Sequence, residues 1–365
     1  MRAAVLEAPG APLEIRDDVE LAAPGAGQVR VRVAHCGICH SDLSIVRGVF
    51  PSPLPIVLGH EAAGVVEEVG PDVVGLAPGD CVVLTAVPPC GHCYWCIRGE
   101  ASLCADGIGI QTNTFPDGTT GLSRKGETIY RGLNLAAFAE NVVVAARGAV
   151  KIPDDVPLDI ACVIGCAVQT GVGAVLNTAR VEEGATVLVM GLGGIGLSVV
   201  QGAVVAGAAR IIVSDPVPER REAARGFGAT DLLDPGSDDV VTRAREITEV
   251  GVDYAFETAG LGPLVEAGLA ATRNGGTTVA VGAPPMDQGI SIAPAALLVI
   301  SGKTLVGSVL GSVNSLREIP RLVDLWRAGR LDLESLVTAQ RPLEEINQAM
   351  DDLEASRGIR TVLSL

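Results

Sequence analysis

The sequence predicts an α/β protein of two domains, a β-rich part followed by a doubly wound parallel sheet, and three observations carry that reading. Apolar and polar residues alternate through the first third, most clearly in residues 29–35 (VRVRVAH), which is the pattern of half-buried strands. From Ala185 the texture changes to strand, glycine loop and helix, and that alternation persists to Gly282. The length of 365 residues exceeds one ordinary core, and 45 glycines suit a fold with many ligand-binding loops.

Composition excludes several classes of partner. The net charge of −16, with no basic cluster, argues against nucleic acid or an anionic membrane surface. The opening MRAAVLEAPGAPLEI has neither the charged head nor the apolar run of a signal peptide and reads as strand and turn. The richest apolar segment, residues 197–213, is broken by Gly202, Gly207 and Arg210, so no segment spans a bilayer. The expected location is the cytoplasm, where thiols stay reduced. Nine cysteines there call for metal before disulfides.

Residues 36–61, CGICHSDLSIVRGVFPSPLPIVLGHE, gather two cysteines, two histidines and two acids. An open zinc site uses such a mixed set, because zinc accepts sulfur, nitrogen and oxygen with no geometric preference from d-electrons. Cys39 and His60 are two candidate ligands, and a third must come from elsewhere. Strands are expected over 61–70 and 80–87. Then Cys90, Cys93, Cys96 and Cys104, spaced three, three and eight apart, suit one closed, structural zinc better than a redox pair or two strained bridges. His92 reads as an exposed loop histidine. Residues 105–135 show no clear periodicity and read as a long excursion. Residues 136–144 return to strand, and a helix begins near Leu158. Cys162 and Cys166 lie in a segment of small residues, where inert burial is the ordinary role of a cysteine.

In the second part ATVLVM, GLGGIG and LSVVQGAVVAG follow one another as strand, loop and helix. This is the dinucleotide fingerprint in its required setting, with Gly191, Gly193 and Gly196 in the pattern and Gly194 within the loop. Phosphates belong at the following helix's N-terminus, where unpaired N–H groups and the dipole favour anions. Asp215 ends the next strand, where an acid binds ribose hydroxyls and repels a 2′-phosphate, favouring NAD over NADP. Arg220 and Arg221 beside it suit either a phosphate or a solvated helix face. Further strands and helices to Gly282 give a sheet of about six strands, with residues 303–311 as one more strand and a candidate oligomer contact. Helices near 315–328 and 343–354 precede a last strand, IRTVLSL, which has no βα partner after it and is expected to fold back onto the first domain.

In order, CGICHSD, GHE, the four-cysteine lobe, GC before the nucleotide domain, GLGGIG with Asp215, and IRTVL at the end resemble the zinc-containing medium-chain alcohol dehydrogenases over essentially the whole chain. The resemblance implies a GroES-like catalytic domain, residues 1–167 and 310–365, with a lobe at about 90–104, and an inserted Rossmann domain, residues 168–309. It implies a homodimer or homotetramer, two zinc ions per chain, NAD, and a small alcohol, aldehyde or ketone as substrate. Carried over residue by residue, it makes Cys166 the third ligand of the catalytic zinc and Asp42 and Glu61 the acids behind the ligands. Ser41 takes the place of the proton-relay hydroxyl, His40 and Arg360 those of pyrophosphate contacts, and Thr170 that of a residue beside the nicotinamide.

Two positions depart from the family pattern. Ser44 stands where many members have the outer relay histidine. Ala86 stands where liver-type members often have a bulky aromatic, which with Phe50 implies room for an aromatic, allylic or cyclic alcohol. The alternatives are the glutathione-adduct formaldehyde dehydrogenases, whose carboxylate-gripping arginine is replaced here by Ile108, polyol dehydrogenases, which commonly lack the complete lobe, zinc-free quinone reductases, and a non-catalytic zinc and NAD binder.

Overall fold

The alternating residues of QVRVRVAHCG form the strand Gln28–Gly37, which buries Val29, Val31 and Val33 on one face and organises the first of two compact units. The structure is a computed structural model that describes every residue except Ala293, and Ile108 without its side chain. Unit 1 comprises Met1–Cys166 with Val313–Leu365, and unit 2 comprises Ala167–Ser312.

In unit 1 the long strand pairs antiparallel with Glu61–Val69, Asn141–Ala145 and the C-terminal Arg360–Ser364. Cys81–Leu84 and Ala149–Lys151 extend the sheet beyond Glu61–Val69. A second sheet in this unit contains Ala3–Leu6 and Ile56–Val57. Leu6, Ile38, Ile56, Leu58, Leu84 and Phe138 are fully buried in their common core. Each such side chain contributes about 1.5–3 kcal/mol relative to exposure.

One reading of this part needs correction. Residues 105–135 are not without regular structure. They include Leu122–Arg124 and Glu127–Arg131, an antiparallel pair that faces buried Leu122 to buried Ile129. Its strands are so short that period-2 alternation hardly registers among the surrounding Gly, Thr and Asp. The last strand has no βα partner after it, as expected, but it does have one before it. Val337–Pro342 and Arg360–Ser364 are parallel neighbours joined through the helix Ile346–Glu354.

In unit 2, Thr186–Met190, Arg210–Ser214, Asp231–Leu233, Val252–Glu257, Thr272–Ala280 and Thr304–Gly307 form a parallel sheet in the order third, second, first, fourth, fifth, sixth. The order reverses beside Thr186–Met190, the position at which doubly wound sheets bind ligands. Of residues 303–311, only Thr304–Gly307 is strand. No single helix among the described residues is long and apolar enough to cross a membrane.

Candidate metal centres and nucleotide loop

The helix His40–Val46 is short, and its N-terminus is fixed by its own sequence. Cys39 caps it in extended conformation, and the Cys39 N–H donates to Asp42 Oδ2 at 3.3 Å, closing a capping box. Asp42 is completely buried, and its Oδ1 accepts from the Gly59 N–H at 3.0 Å and from His60 Nδ1 at 3.1 Å. One carboxylate therefore ties the helix start to the Gly59–His60 turn. Because Nδ1 donates to Asp42, the His60 ring presents its Nε2 lone pair on the other side. Nε2 lies 3.4 Å from the Cys166 Sγ.

Cys39, His60 and Cys166 are all buried, and their ligand atoms lie within 4.8 Å of one another. Around one tetrahedral zinc, a sulfur and a nitrogen sit roughly 3.6 Å apart, so the spacing suits that ion. Cys36, Cys81 and Cys162 lie outside this group. Cys162 is buried with its thiol donating to the Asp159 carbonyl at 3.2 Å.

The electrostatics also suit a cation. Cys39 is held well below the usual thiol range, first by the hydrogen bond from Cys166 and then, against burial, by His60 and Arg360. The same contact and burial push Cys166 up. Burial alone would lower His60, but Asp42 and Cys39 outweigh it and hold the ring above its usual range. The three groups thus share protons that a metal ion displaces on binding. Behind them Glu61, wholly buried, lies 3.2 Å from the Arg360 guanidinium, which also donates to the Ile38 carbonyl at 3.0 Å. The Cys39 thiolate and two buried carboxylates outnumber the Arg360 guanidinium and the His60 ring, a negative excess that a divalent cation offsets. Gly37 makes this arrangement possible, since a Cβ there would lie 2.2 Å from Glu61 Oε2.

Ser41 and Ser44 are half-buried, and the Cys39 thiol approaches Ser41 Oγ at 3.9 Å. His40 is exposed at the helix start. Ala86 is buried, and its carbonyl accepts from Asn134 Nδ2 at 2.9 Å; half-buried Phe50 packs against the same core.

The second cysteine cluster is built differently. Cys90, Cys93, Cys96 and Cys104 bring four sulfurs within 4.8 Å of one another, with Cys90–Cys96 and Cys93–Cys104 each 4.0 Å apart. Tetrahedral zinc–thiolate geometry sets sulfurs about 3.8 Å apart. Backbone N–H groups point at the sulfurs, Cys90 to Cys104 at 3.2 Å and Cys93 to Cys90 at 3.3 Å, which favours thiolates. Cys93 is drawn down to about 6, first by the Ala105 backbone, whereas burial pushes Cys104 up to about 12. His92 is exposed, with Nδ1 3.0 Å from the Cys90 carbonyl, and is not in the cluster.

In unit 2 the loop after Thr186–Met190 turns through Gly191 at φ +94° into the helix Gly194–Ala206, capped by Gly193. A Cβ at Gly196 would meet the Gly191 carbonyl at 1.9 Å, whereas one at Gly193 would meet nothing within 4 Å. The loop is thus packed tightly beneath and open at Gly193, as a pyrophosphate cradle requires. Asp215 is buried after Arg210–Ser214, and its carboxylate accepts from Leu192 N at 2.6 Å and Val217 N at 2.8 Å. Arg221 pairs with Asp234 at 2.8 Å, and Arg220 is buried on the same helix. Thr170 is buried in Ala167–Gly173.

Residues 25–154 match the alcohol dehydrogenase GroES-like domain, and residues 194–326 match the zinc-binding dehydrogenase family. An S-(hydroxymethyl)glutathione dehydrogenase of Escherichia coli O1:K1 is 40% identical over 371 residues, covering 99% of each chain. The chain belongs to the zinc-dependent medium-chain alcohol dehydrogenases. It is an oxidoreductase of a zinc-binding family, and both of its cysteine clusters could hold such an ion. Among solved structures, an alcohol dehydrogenase zinc-binding domain protein from Burkholderia ambifaria superposes with a TM-score of 0.94 at 39% identity, covering 100% of this chain and 98% of that one. The benzyl alcohol dehydrogenase of Acinetobacter calcoaceticus also gives 0.94, at 32% identity, with 100% and 99% covered.

Of the residues singled out in the alcohol dehydrogenase sequence, the structure brings Cys39, His60, Cys166, Asp42, Glu61, Ser41 and Arg360 into one neighbourhood. Sequence reasoning missed Gly37 and the Arg360–Glu61 pair. Neither has a local signal, because one is an absence of atoms and the other joins residues far apart in the chain.

Proposed function

We propose that this alcohol dehydrogenase oxidises a bulky alcohol, aromatic, allylic or cyclic, to the aldehyde or ketone with NAD, and catalyses the reverse reduction. The observation that carries the reading is the buried Cys39–His60–Cys166 trio, three ligands that leave one position of a tetrahedral ion for substrate. Bound zinc supplies a Lewis acid at the alcohol oxygen, and NAD supplies the hydride acceptor.

This chain's residues do the remaining work. Asp42 holds the His60 ring in one tautomer. Ser41 stands next to Cys39, where its hydroxyl accepts the substrate proton and passes it outward. Ser44, three residues on along the same helix, replaces the relay histidine of many relatives and hands the proton on to water. Gly191, Gly193, Gly194 and Gly196 cradle the pyrophosphate, and Thr170 stands beside the nicotinamide. Asp215 receives the ribose hydroxyls. Arg221 is committed to Asp234, which supports NAD over NADP. Cys90, Cys93, Cys96 and Cys104 hold a structural zinc.

Ala86 in place of a ring supports the bulky substrate, and similarity to a benzyl alcohol dehydrogenase agrees with it. A second reading, the glutathione adduct of formaldehyde, is favoured by the 40% identical Escherichia coli relative. Ile108, whose side chain lies outside the described residues, opposes it, since the family's adduct branch has arginine there. Screening the purified enzyme with NAD against benzyl, allylic, cyclic and polyol substrates and S-hydroxymethylglutathione, by NADH absorbance, separates the two. Higher kcat/KM for benzyl or allylic alcohols supports the main reading, and preference for the adduct replaces it.

A homodimer through the edge strand Thr304–Gly307 completes the proposal. Among the described residues that strand pairs on one side only, and Leu297, Val299 and Ile300 nearby in sequence are exposed. Light scattering at the mass of a single chain would exclude it.

A further inference from the structure

Arg131 ends the strand Glu127–Arg131 and is only 2% exposed. Its guanidinium lies 3.6 Å from the centroid of the Phe115 ring. Two neutral oxygens accept from it, Asn134 Oδ1 at 3.0 Å and the Val143 carbonyl at 3.2 Å. Among the described residues no carboxylate pairs with it. Neutral acceptors and an aromatic face solvate a cation but do not cancel its charge, and an uncompensated buried charge is costly. Burial pushes Arg131 down to about 9, offset only in part by Asp117 at a distance, and an arginine so placed is still charged at neutral pH.

The guanidinium lines a recess of about 310 Å³, partly open to solvent, together with Thr85, Pro88, Asp106, Phe115 and Arg147. Its inner part has room for a single water-sized or ion-sized occupant. The one carboxylate in the wall, Asp106, is already paired with Arg147. The charge left over in this recess is that of Arg131.

We propose that the recess is a binding site for a small monovalent anion of chloride size, which neutralises Arg131. Asn134 links the site to the pocket wall, since it accepts from Arg131 and donates to the Ala86 carbonyl. Asp106 links it to the cysteine lobe, two residues after Cys104. Occupancy therefore braces the segment between lobe and substrate wall. This inference does not depend on which alcohol the enzyme oxidises.

The test is thermal unfolding of the zinc-loaded enzyme at constant ionic strength while chloride replaces gluconate. A saturable rise in Tm of about 2–4 °C is expected for the wild type and none for Arg131→Met. Equal melting in chloride and gluconate, or a rise retained in Arg131→Met, overturns the proposal. If that variant does not fold, wild-type crystals soaked in bromide decide. An anomalous peak within hydrogen-bonding reach of the Arg131 guanidinium is expected alongside the chloride-dependent Tm. No peak overturns the site, and a peak without a chloride effect on melting means an adventitious ion only.

Discussion

The two cysteine sites of this enzyme make opposite use of the same ligand. Cys39, His60 and Cys166 are buried, come from distant parts of the chain, and are backed by Asp42, which fixes His60, and by the Glu61–Arg360 pair. Cys90, Cys93, Cys96 and Cys104 come from one stretch of 15 residues, are mostly half-exposed, and are backed by backbone N–H groups. Three protein ligands leave a coordination position for chemistry, and four thiolates leave none. In the proposed function, reactivity comes from incompleteness enclosed in a rigid shell, and stability from completeness near the surface.

The comparison breaks most directly at the ligands. Cys166→Ser is expected to lower kcat by at least about a thousandfold and zinc content from two to one per chain, with far-UV dichroism unchanged. Near-wild-type activity in that protein would falsify the catalytic assignment. Cys96→Ser, at the closed site, should instead lower Tm and release the other zinc, because there metal binding and local folding are one process. Removing metal with a chelator should accordingly proceed in two stages, activity first and melting temperature second; simultaneous loss would erase the distinction.

The shell behind the open site comes next in size. Asp42→Asn keeps the shape but weakens the grip on His60, and kcat or zinc affinity should fall roughly 10- to 100-fold. Gly37→Ala places a methyl against the Glu61 carboxylate and should cost about 1–3 kcal/mol in urea unfolding. An unchanged midpoint would mean that Glu61 moves aside freely.

The smallest effect serves as a control on buried charge. Asp231 pairs with Arg210 near the surface of unit 2, and that contact holds its carboxyl below the usual range. A depressed folded-state value gives stability above the unfolded carboxylate range that fades as pH falls through the folded value. Asp231→Asn should therefore cost roughly 0.5 kcal/mol at neutral pH and nothing once the pH has fallen below the depressed folded-state value. A constant difference across that range would show that packing, not charge, is responsible.

Much of this was legible in the sequence where information is local. The four lobe cysteines and the glycines from Gly191 to Gly196 act through neighbours a few residues away, so spacing alone points to the chemistry. Cys166 was not legible in that way. It lies 106 positions beyond His60, and its surroundings read as inert core, so family resemblance alone singled it out. Val337–Pro342 escaped because its exposed alternate residues and terminal proline look like loop. Arg131 gave no signal at all, because a buried cation is recognised by what fails to surround it.

Arg360 sets an order of events in biosynthesis. Cys39, His60 and Cys166 are all available once the first 166 residues have been made, yet Glu61 waits for a counter-charge encoded 299 positions after it. The edge of Gln28–Gly37 beside the ligands likewise waits for Arg360–Ser364. At about 5–20 residues per second, Arg360 follows Glu61 by roughly fifteen to sixty seconds. Maturation of the catalytic centre is thus timed to the synthesis of Arg360, whereas the cysteine lobe can be loaded well before it.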